Sequence, residues 1–339
     1  MSYIKISGSW KNISDIYVKV NGSWKTVTDA YVKVSGSWKT FFKKVLAITN
    51  GFFGGGAATG LSSIIEYIDL TTTTGNSALR GNLLSATSII VGLKGPTYGF
   101  YLISGKSPNN IEYIDRTTTT GNSALRGTIT VLTYYAAGAS GSQYGFKAGG
   151  YAGTTFYDTI EYLDLTITTG NTLNRGTLTV GRGELSGMEG STYGFFAGGR
   201  DATPSRDIID YIDLTTTTGN ALSKGTLTIA RHSTNAVSGQ TYGFIGAGKN
   251  NYTTTTVIDY IDITTTTGNA VNRGNFTTYK STYAAIEGAT YGFFAGGVDT
   301  FQIPSVRYDQ IDYIDLNTTT GNILNKGILI EPKSSFDGV

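Results

Sequence analysis

A five-residue phrase, Ile-Glu/Asp-Tyr-Ile/Leu-Asp, followed by a threonine-rich run and a Gly-Asn step, begins at Ile65, Ile111, Ile160, Ile209, Ile258 and Ile311. These starts lie 46, 49, 49, 49 and 53 residues apart, so the chain is a tandem array. Each unit is one supersecondary motif that must bury its apolar face against its neighbours. The order within a unit is constant. A Gly-rich apolar stretch such as Tyr193-Gly194-Phe195-Phe196-Ala197-Gly198-Gly199 comes first, then a variable loop, the phrase itself, the threonines and Gly219-Asn220. A short segment around Gly225-Thr226-Leu227-Thr228, then Arg231 and a run of small residues, completes it. These segments read as four short strands per unit.

Composition supports an all-β chain and excludes several partners. The 46 glycines and 23 tyrosines among 339 residues suit short strands and tight turns. Charged residues make up 15% and the net charge is +2, too little for a phosphate-binding face, so no nucleic acid is expected. With no Cys there is neither a disulfide framework nor a thiolate site, and His232 is the single histidine. No cofactor is expected. Met1 to Trp10 has no signal-peptide core and no stretch approaches the roughly 18 apolar residues of a spanning helix, so membrane insertion is not expected either.

The first 40 residues carry a shorter repeat with a period of 14. Tyr3, Tyr17 and Tyr31 open three apolar-basic quartets, and Trp10, Trp24 and Trp38 follow in Gly-Ser-Trp-Lys segments. Ser7-Gly8, Asn21-Gly22 and Ser35-Gly36 are two-residue signals for hairpin turns. A turn at Asn21-Gly22 sets Lys19 opposite Trp24 and Tyr17 opposite Thr26. Isolated hairpins are marginal in water, so residues 1–45 are expected to be completed by a partner chain or by copies of themselves, with these six aromatic residues as the assembly surface. A small layer packed on the main domain, residues 46–339, is the other reading.

The long unit resembles the kelch repeat, in which a double glycine ends one strand, a Tyr-Asp pair marks the next and a basic residue follows the fourth. That resemblance spans nearly all of residues 46–339 and implies a six-bladed kelch-like β-propeller. Blade logic then assigns roles. The small stretches at 136–140, 235–238 and 284–286 suit the crowded innermost strand. Phe52, Phe100, Phe146, Phe195, Phe244 and Phe293 supply the packing between blades. The tail from Pro332 to Val339 is an innermost strand without a blade of its own, and could complete the first one. A hairpin centred on the Thr-Gly step places Asp69 opposite Arg80, and likewise Asp115 and Arg126, Asp164 and Arg175, Asp213 and Lys224, Asp262 and Arg273, Asp315 and Lys326. Six structural cross-strand ion pairs are expected.

No catalytic constellation emerges, and the chain is read as a non-enzyme. Kelch-like propellers include copper oxidases, whose centre needs several His ligands and a Cys-modified Tyr. Sialidase-like propellers need an arginine cluster and a Glu-activated Tyr, and their Ser-x-Asp-x-Gly-x-x-Trp turns are missing. Glu184, Glu189 and Glu287 could pair near the axis as glycoside hydrolysis requires, but read better as solvated channel lining. His232 reads as a surface histidine without a nucleophile or second ligand nearby. The glycines at 54–56 end a strand and cradle no phosphate.

Comparison of the copies with one another separates two faces. Turns at one end barely change, whereas the loops at 106–110, 151–159, 200–208, 249–257 and 298–310 differ in length and content. They present Tyr151, Phe156, Tyr157, Arg200, Arg206, Tyr252, Phe301, Arg307 and Tyr308, residue types favoured at recognition surfaces, and these are the candidate partner- or glycan-binding residues.

The hairpin and propeller repeats together resemble structural proteins of tailed, especially marine, bacteriophages. The resemblance implies a virion protein of tail-fibre, baseplate or head-decoration type, assembled in the host cytoplasm. Its N-terminal hairpins would anchor it to other virion proteins, in a homo-oligomer, and its propeller would be displayed to a host glycan or protein. A cellular interaction scaffold and a glycan-binding or glycan-cleaving propeller are the alternatives.

Overall fold

The computed structural model describes residues 48–104, 109–202, 204–251, 253–300 and 302–339 in full, and in the first 47 residues it describes the backbone of six short strands. Two units are distinguished, Met1–Ile48 and Thr49–Val339.

In the first unit, Tyr3–Ile6 pairs with Ser9–Asn12, Ile16–Val20 with Ser23–Val27, and Asp29–Val34 with Ser37–Lys43, each pair forming its own two-stranded sheet. Two residues separate Val20 from Ser23, and that connection length fixes the register. Tyr17 stands opposite Thr26 and Lys19 opposite Trp24, as the repeat predicts. Lys5 with Trp10 and Lys33 with Trp38 repeat the same relation. The side chains of Tyr3, Trp10, Tyr17, Trp24, Tyr31 and Trp38 lie outside the described residues.

Thr49–Val339 is a six-bladed β-propeller. Blades two to six each hold four antiparallel strands in chain order, innermost first. Blade two comprises Ile90–Lys94, Tyr98–Ile103, Asn110–Asp115 and Ala124–Thr128; blade three Ala137–Ser140, Tyr144–Ala148, Thr159–Asp164 and Leu173–Thr177. Blade four comprises Ser186–Glu189, Tyr193–Ala197, Ile208–Asp213 and Leu222–Thr226; blade five Asn235–Ser238, Tyr242–Gly246, Val257–Asp262 and Val271–Asn275. Blade six comprises Ala284–Glu287, Tyr291–Ala295, Gln310–Asp315 and Leu324–Ile328.

Blade one is composite. Its outer three strands are Asn50–Gly54, Ser62–Asp69 and Ala78–Thr87, and its innermost strand is Asp337–Gly338 from the far end of the chain. Phe52 N–H donates to the Val339 carbonyl at 3.0 Å and Val339 N–H returns a bond to Phe52 at 2.9 Å. The C-terminal segment thus closes the ring and removes the edge that the second strand of blade one would otherwise expose.

Apolar burial occurs between blades rather than within them. Phe146 of blade three clusters with Phe196, Ile212 and Leu214 of blade four, and Phe293 of blade six with Phe53, Ile68 and Leu70 of blade one. All six strand-two phenylalanines named from the sequence are fully buried. Toward the axis the sheets converge until backbones touch: a Cβ on Gly187 would collide with the Gly138 carbonyl. That is why the innermost strands are built from small residues.

The expected Asp–basic ion pairs do not form. In blade one, Glu66 faces Leu79 and Ile65 faces Gly81, so Arg80 is the extra residue of a β-bulge and leaves the ladder. The same shift places Arg126, Arg175, Lys224, Arg273 and Lys326 at the bulge of their blades. Asp69 instead accepts from the Thr71 N–H at 2.7 Å and its hydroxyl at 2.6 Å, capping its own turn. Those two bonds hold the Asp69 carboxyl below its ordinary range.

The freed cations clasp the next blade. Arg126 lies over the Phe100 ring at 5.3 Å and donates to the carbonyls of Ile167, Gly170 and Asp164 in blade three. Asn171 Oδ1 accepts from Thr128 N–H at 2.9 Å, and a Cβ on Gly127 would collide with the Gly170 carbonyl. The threonine-rich turn, its Gly-Asn step and the basic-Gly pair are therefore two halves of one inter-blade joint. Lys326 carries it from blade six to Thr72 and Thr74 of blade one.

Candidate functional site

The joints occupy one end of the propeller and leave the loops after the second strand at the other. At that second end, the segment entering each innermost strand contributes one left-handed residue: Ile89, Tyr135, Glu184, Ser233, Thr282 and Ser335, with φ of 64, 55, 59, 54, 51 and 57°. Non-glycine residues hold this conformation only where surroundings impose it. Here the surroundings are each other. Glu184 N–H donates to Tyr135, Ser233 to Glu184, Thr282 to Ser233, Ser335 to Thr282 and Ile89 to Ser335, a belt of backbone bonds around the axis.

On the blade-three and blade-four sector of this belt sits an aromatic–cation cluster. Tyr135 and Tyr151 stack with centroids 5.7 Å apart and planes inclined by 15°. Phe156 packs on Tyr151 at 5.4 Å, and the Arg200 guanidinium lies 5.4 Å above the Tyr151 ring. Arg200 Nε bonds Glu184 Oε1 at 2.6 Å. Burial works to lower the Arg200 pKa, but the Glu184 carboxylate and Tyr151 together outweigh it and the value is raised. Burial raises the pKa of both tyrosines. The local fold explains the meeting: Tyr151–Ala152 pairs with Thr155–Phe156 as a small hairpin, and Arg200 bridges to Gly183 beside Glu184.

Of the sequence candidates, Tyr151, Phe156 and Arg200 are thus brought together. Tyr157, Arg206 and Tyr308 share a different, repeated role, their N–H groups bonding the carbonyls of Gly150, Gly199 and Gly297 to close the loop. Arg206 is further tied to Asp201 at 2.6 Å. Arg307 is exposed on the Val306–Arg307 strand of blade six. Tyr252 and Phe301 lie outside the described residues.

His232 is not a surface residue. It is buried, with Nδ1 2.8 Å from Ser205 Oγ and Nε2 3.8 Å from Glu184 Oε2. Both partners come from distant positions in the sequence, which is why neither was visible there. Burial lowers its pKa against the opposing pull of Glu184, so the ring is neutral at pH 7. Ser205 Oγ also accepts from Asn251 N–H at 2.9 Å, and Glu184 is already held by Arg200 and Ser233. A distance of 3.8 Å is beyond hydrogen bonding, so the group acts as a clamp between the loops of blades four and five, not as an oriented nucleophile.

The three glutamates line the axial cavity, and two of them, Glu189 and Glu287, converge on one lysine. Glu184 is at the belt, and Glu189 and Glu287 are at the other mouth, where Lys94 joins them, at 2.7 Å from Glu189. Sequence reasoning missed Tyr135, which is stacked at the centre of the cluster, and a set of buried ion pairs within the blades. Arg182 with Asp210, Arg231 with Asp259, Lys280 with Asp312 and Lys333 with Glu66 join the linker before a blade to its third strand. In blade three the linker residue is Thr133, and Lys147 of the second strand pairs with Glu161 at 3.0 Å instead. An acidic residue in every copy of a buried strand was the available signal.

Among the described residues no group of three or more His, Cys, Asp or Glu side chains gathers as a metal site. This face offers a rigid aromatic surface, guanidinium groups anchored by carboxylates and loops that differ from blade to blade. The sequence matches no protein-family model, and no curated protein matches it.

Proposed function

We propose that this chain is a non-enzymatic display protein of a tailed-phage type particle, in which the propeller presents its loop-bearing face to a host-surface glycan or protein. The observation that carries the reading is the contrast between ends. One end repeats the same joint blade after blade, whereas the other combines Tyr135, Tyr151, Phe156 and Arg200 in a cluster without a counterpart among the described residues of the other blades. Duplication alone would leave both ends alike. The particle assignment rests on the joint occurrence of hairpin and propeller repeats and on their resemblance to phage structural proteins, with kelch-like ancestry for the blades. The hairpins, each a two-stranded sheet too small to bury a core, suit attachment to other particle proteins.

A mass-spectrometric inventory of purified particles from the host that encodes the chain tests the assignment. The protein is expected at a fixed copy number per particle; its presence only in the cell fraction would favour the cellular scaffold. Glycan-array binding followed by product analysis separates a binder, which leaves every glycan intact, from a cleaving enzyme.

A further inference from the structure

The axial cavity is lined by the innermost strands of all six blades and offers about 120 Å³ to water-sized occupants, room for several waters. Its charged lining almost balances. Lys94 neutralises Glu189 and Glu287 at one mouth, helped by Arg116 beside Glu189, and Arg200 neutralises Glu184 at the other. Tyr135 and Tyr283 in the same wall are held neutral by burial.

Asp337 is left over. Its Oδ2 accepts from Gly92 N–H at 2.8 Å, and its Oδ1 accepts from Gly338 N–H at 2.9 Å and from Asn235 Nδ2 at 3.3 Å. No cation stands within salt-bridge distance among the described residues. Next to Asn235, the Thr234 hydroxyl is buried without a hydrogen-bond partner, and so is that of Thr282, and both residues line the same cavity. A buried carboxylate without a counter-charge is costly, and the Thr234 and Thr282 hydroxyls, buried in the wall without partners, can turn to a polar occupant of the cavity.

We propose that the axial cavity takes up a small monovalent cation beside Asp337, completed by wall hydroxyls and water. A single carboxylate among neutral oxygens is too weakly charged for calcium, and magnesium demands a tighter octahedron. Burial raises the Asp337 pKa to about 6, so a proton competes for the site in acid and is gone at pH 8.

Thermal unfolding of the full chain tests this at pH 8 and pH 5 in potassium, sodium, ammonium or N-methylglucamine chloride at one ionic strength. The site predicts a midpoint that rises and saturates with at least one of the three small cations at pH 8, relative to the bulky one. The gain vanishes at pH 5. Because cations are compared at each pH, titrations elsewhere cancel. In Asp337→Asn the gain vanishes at pH 8 as well. If that variant does not fold, Thr234→Val, which keeps the carboxylate, should raise the half-saturating concentration about tenfold. Identical midpoints in all four salts at pH 8, or an equal gain at pH 5, would overturn the proposal and leave water and a proton as the occupants.

Discussion

Arg126 of blade two donates to the Gly170 carbonyl of blade three at 2.7 Å, across an interface that its own outer strand reaches only because Arg126 is bulged out of the ladder. Arg80, Arg175 and Arg273 repeat the bond at their own interfaces, and Lys224 and Lys326 reach threonine carbonyls of the next blade's turn instead, so a basic residue links every neighbouring pair of blades. Its regularity makes one end of the propeller a structural seam, and the other end is the one free to vary.

The seam makes a direct prediction. Arg126→Met keeps the apolar stem on Phe100 but strands three carbonyls, so a loss of about 1.5–3 kcal/mol is expected in urea denaturation. Gly127→Ala, whose Cβ meets the Gly170 carbonyl, should cost a similar amount. Thr120→Ala, on an exposed turn residue, should stay within about 0.5 kcal/mol.

The buried pairs between linker and third strand behave differently from surface salt bridges. Arg231 and Asp259 are both completely buried, with Nη2 2.9 Å from Oδ2. Arg231→Met alone leaves a bare carboxylate and should cost about 3–5 kcal/mol, whereas Arg231→Met with Asp259→Leu should recover most of it. Equal losses in the single and double variants would show that the charge itself is not what the site penalises.

Blade two lacks this pair. Glu112 occupies the acidic position, but Thr87 stands in the linker and Tyr101 in the second strand, and one Glu112 oxygen is buried without a partner. Burial raises its pKa. A carboxyl raised in the folded state binds more protons there than in the unfolded chain, so its contribution falls as pH rises through the unfolded value. Glu112→Gln should therefore be neutral or stabilising at pH 8 and neutral near pH 4, whereas Asp259→Asn should destabilise at pH 8.

Closure can be tested by truncation. Removal of residues 337–339 takes away the innermost strand of blade one and uncovers the Phe52 backbone. The expected result is a lower unfolding midpoint together with concentration-dependent association, measured by light scattering, because an unpaired strand edge recruits other strands.

Much of the architecture was legible because it is periodic. The spacing of Ile65, Ile111 and their successors gave the blade count, and the tail beyond Pro332 stood out as a strand without a blade. Charge pairing was not legible, for a local reason. One bulge residue moves Arg80 off the ladder, and simple hairpin arithmetic then assigns it to Asp69 instead of to the neighbouring blade. The aromatic cluster was half legible: Tyr151, Phe156 and Arg200 stood out by residue type in variable loops. Tyr135 did not, and Glu184 stood out only as channel lining, because their place in the cluster depends on a left-handed backbone at the belt that no residue type announces.

We place recognition at the loop-bearing end of the propeller. Binding of the labelled full chain to host cells, measured for Tyr151→Ser with Phe156→Ser and Arg307→Ala, and separately for Thr120→Ala with Thr169→Ala and Thr218→Ala on the turn-bearing end, addresses it most directly. The first set should lose binding at least tenfold with its unfolding transition intact, and the second set should bind as the unaltered protein does. Loss confined to the second set would contradict it.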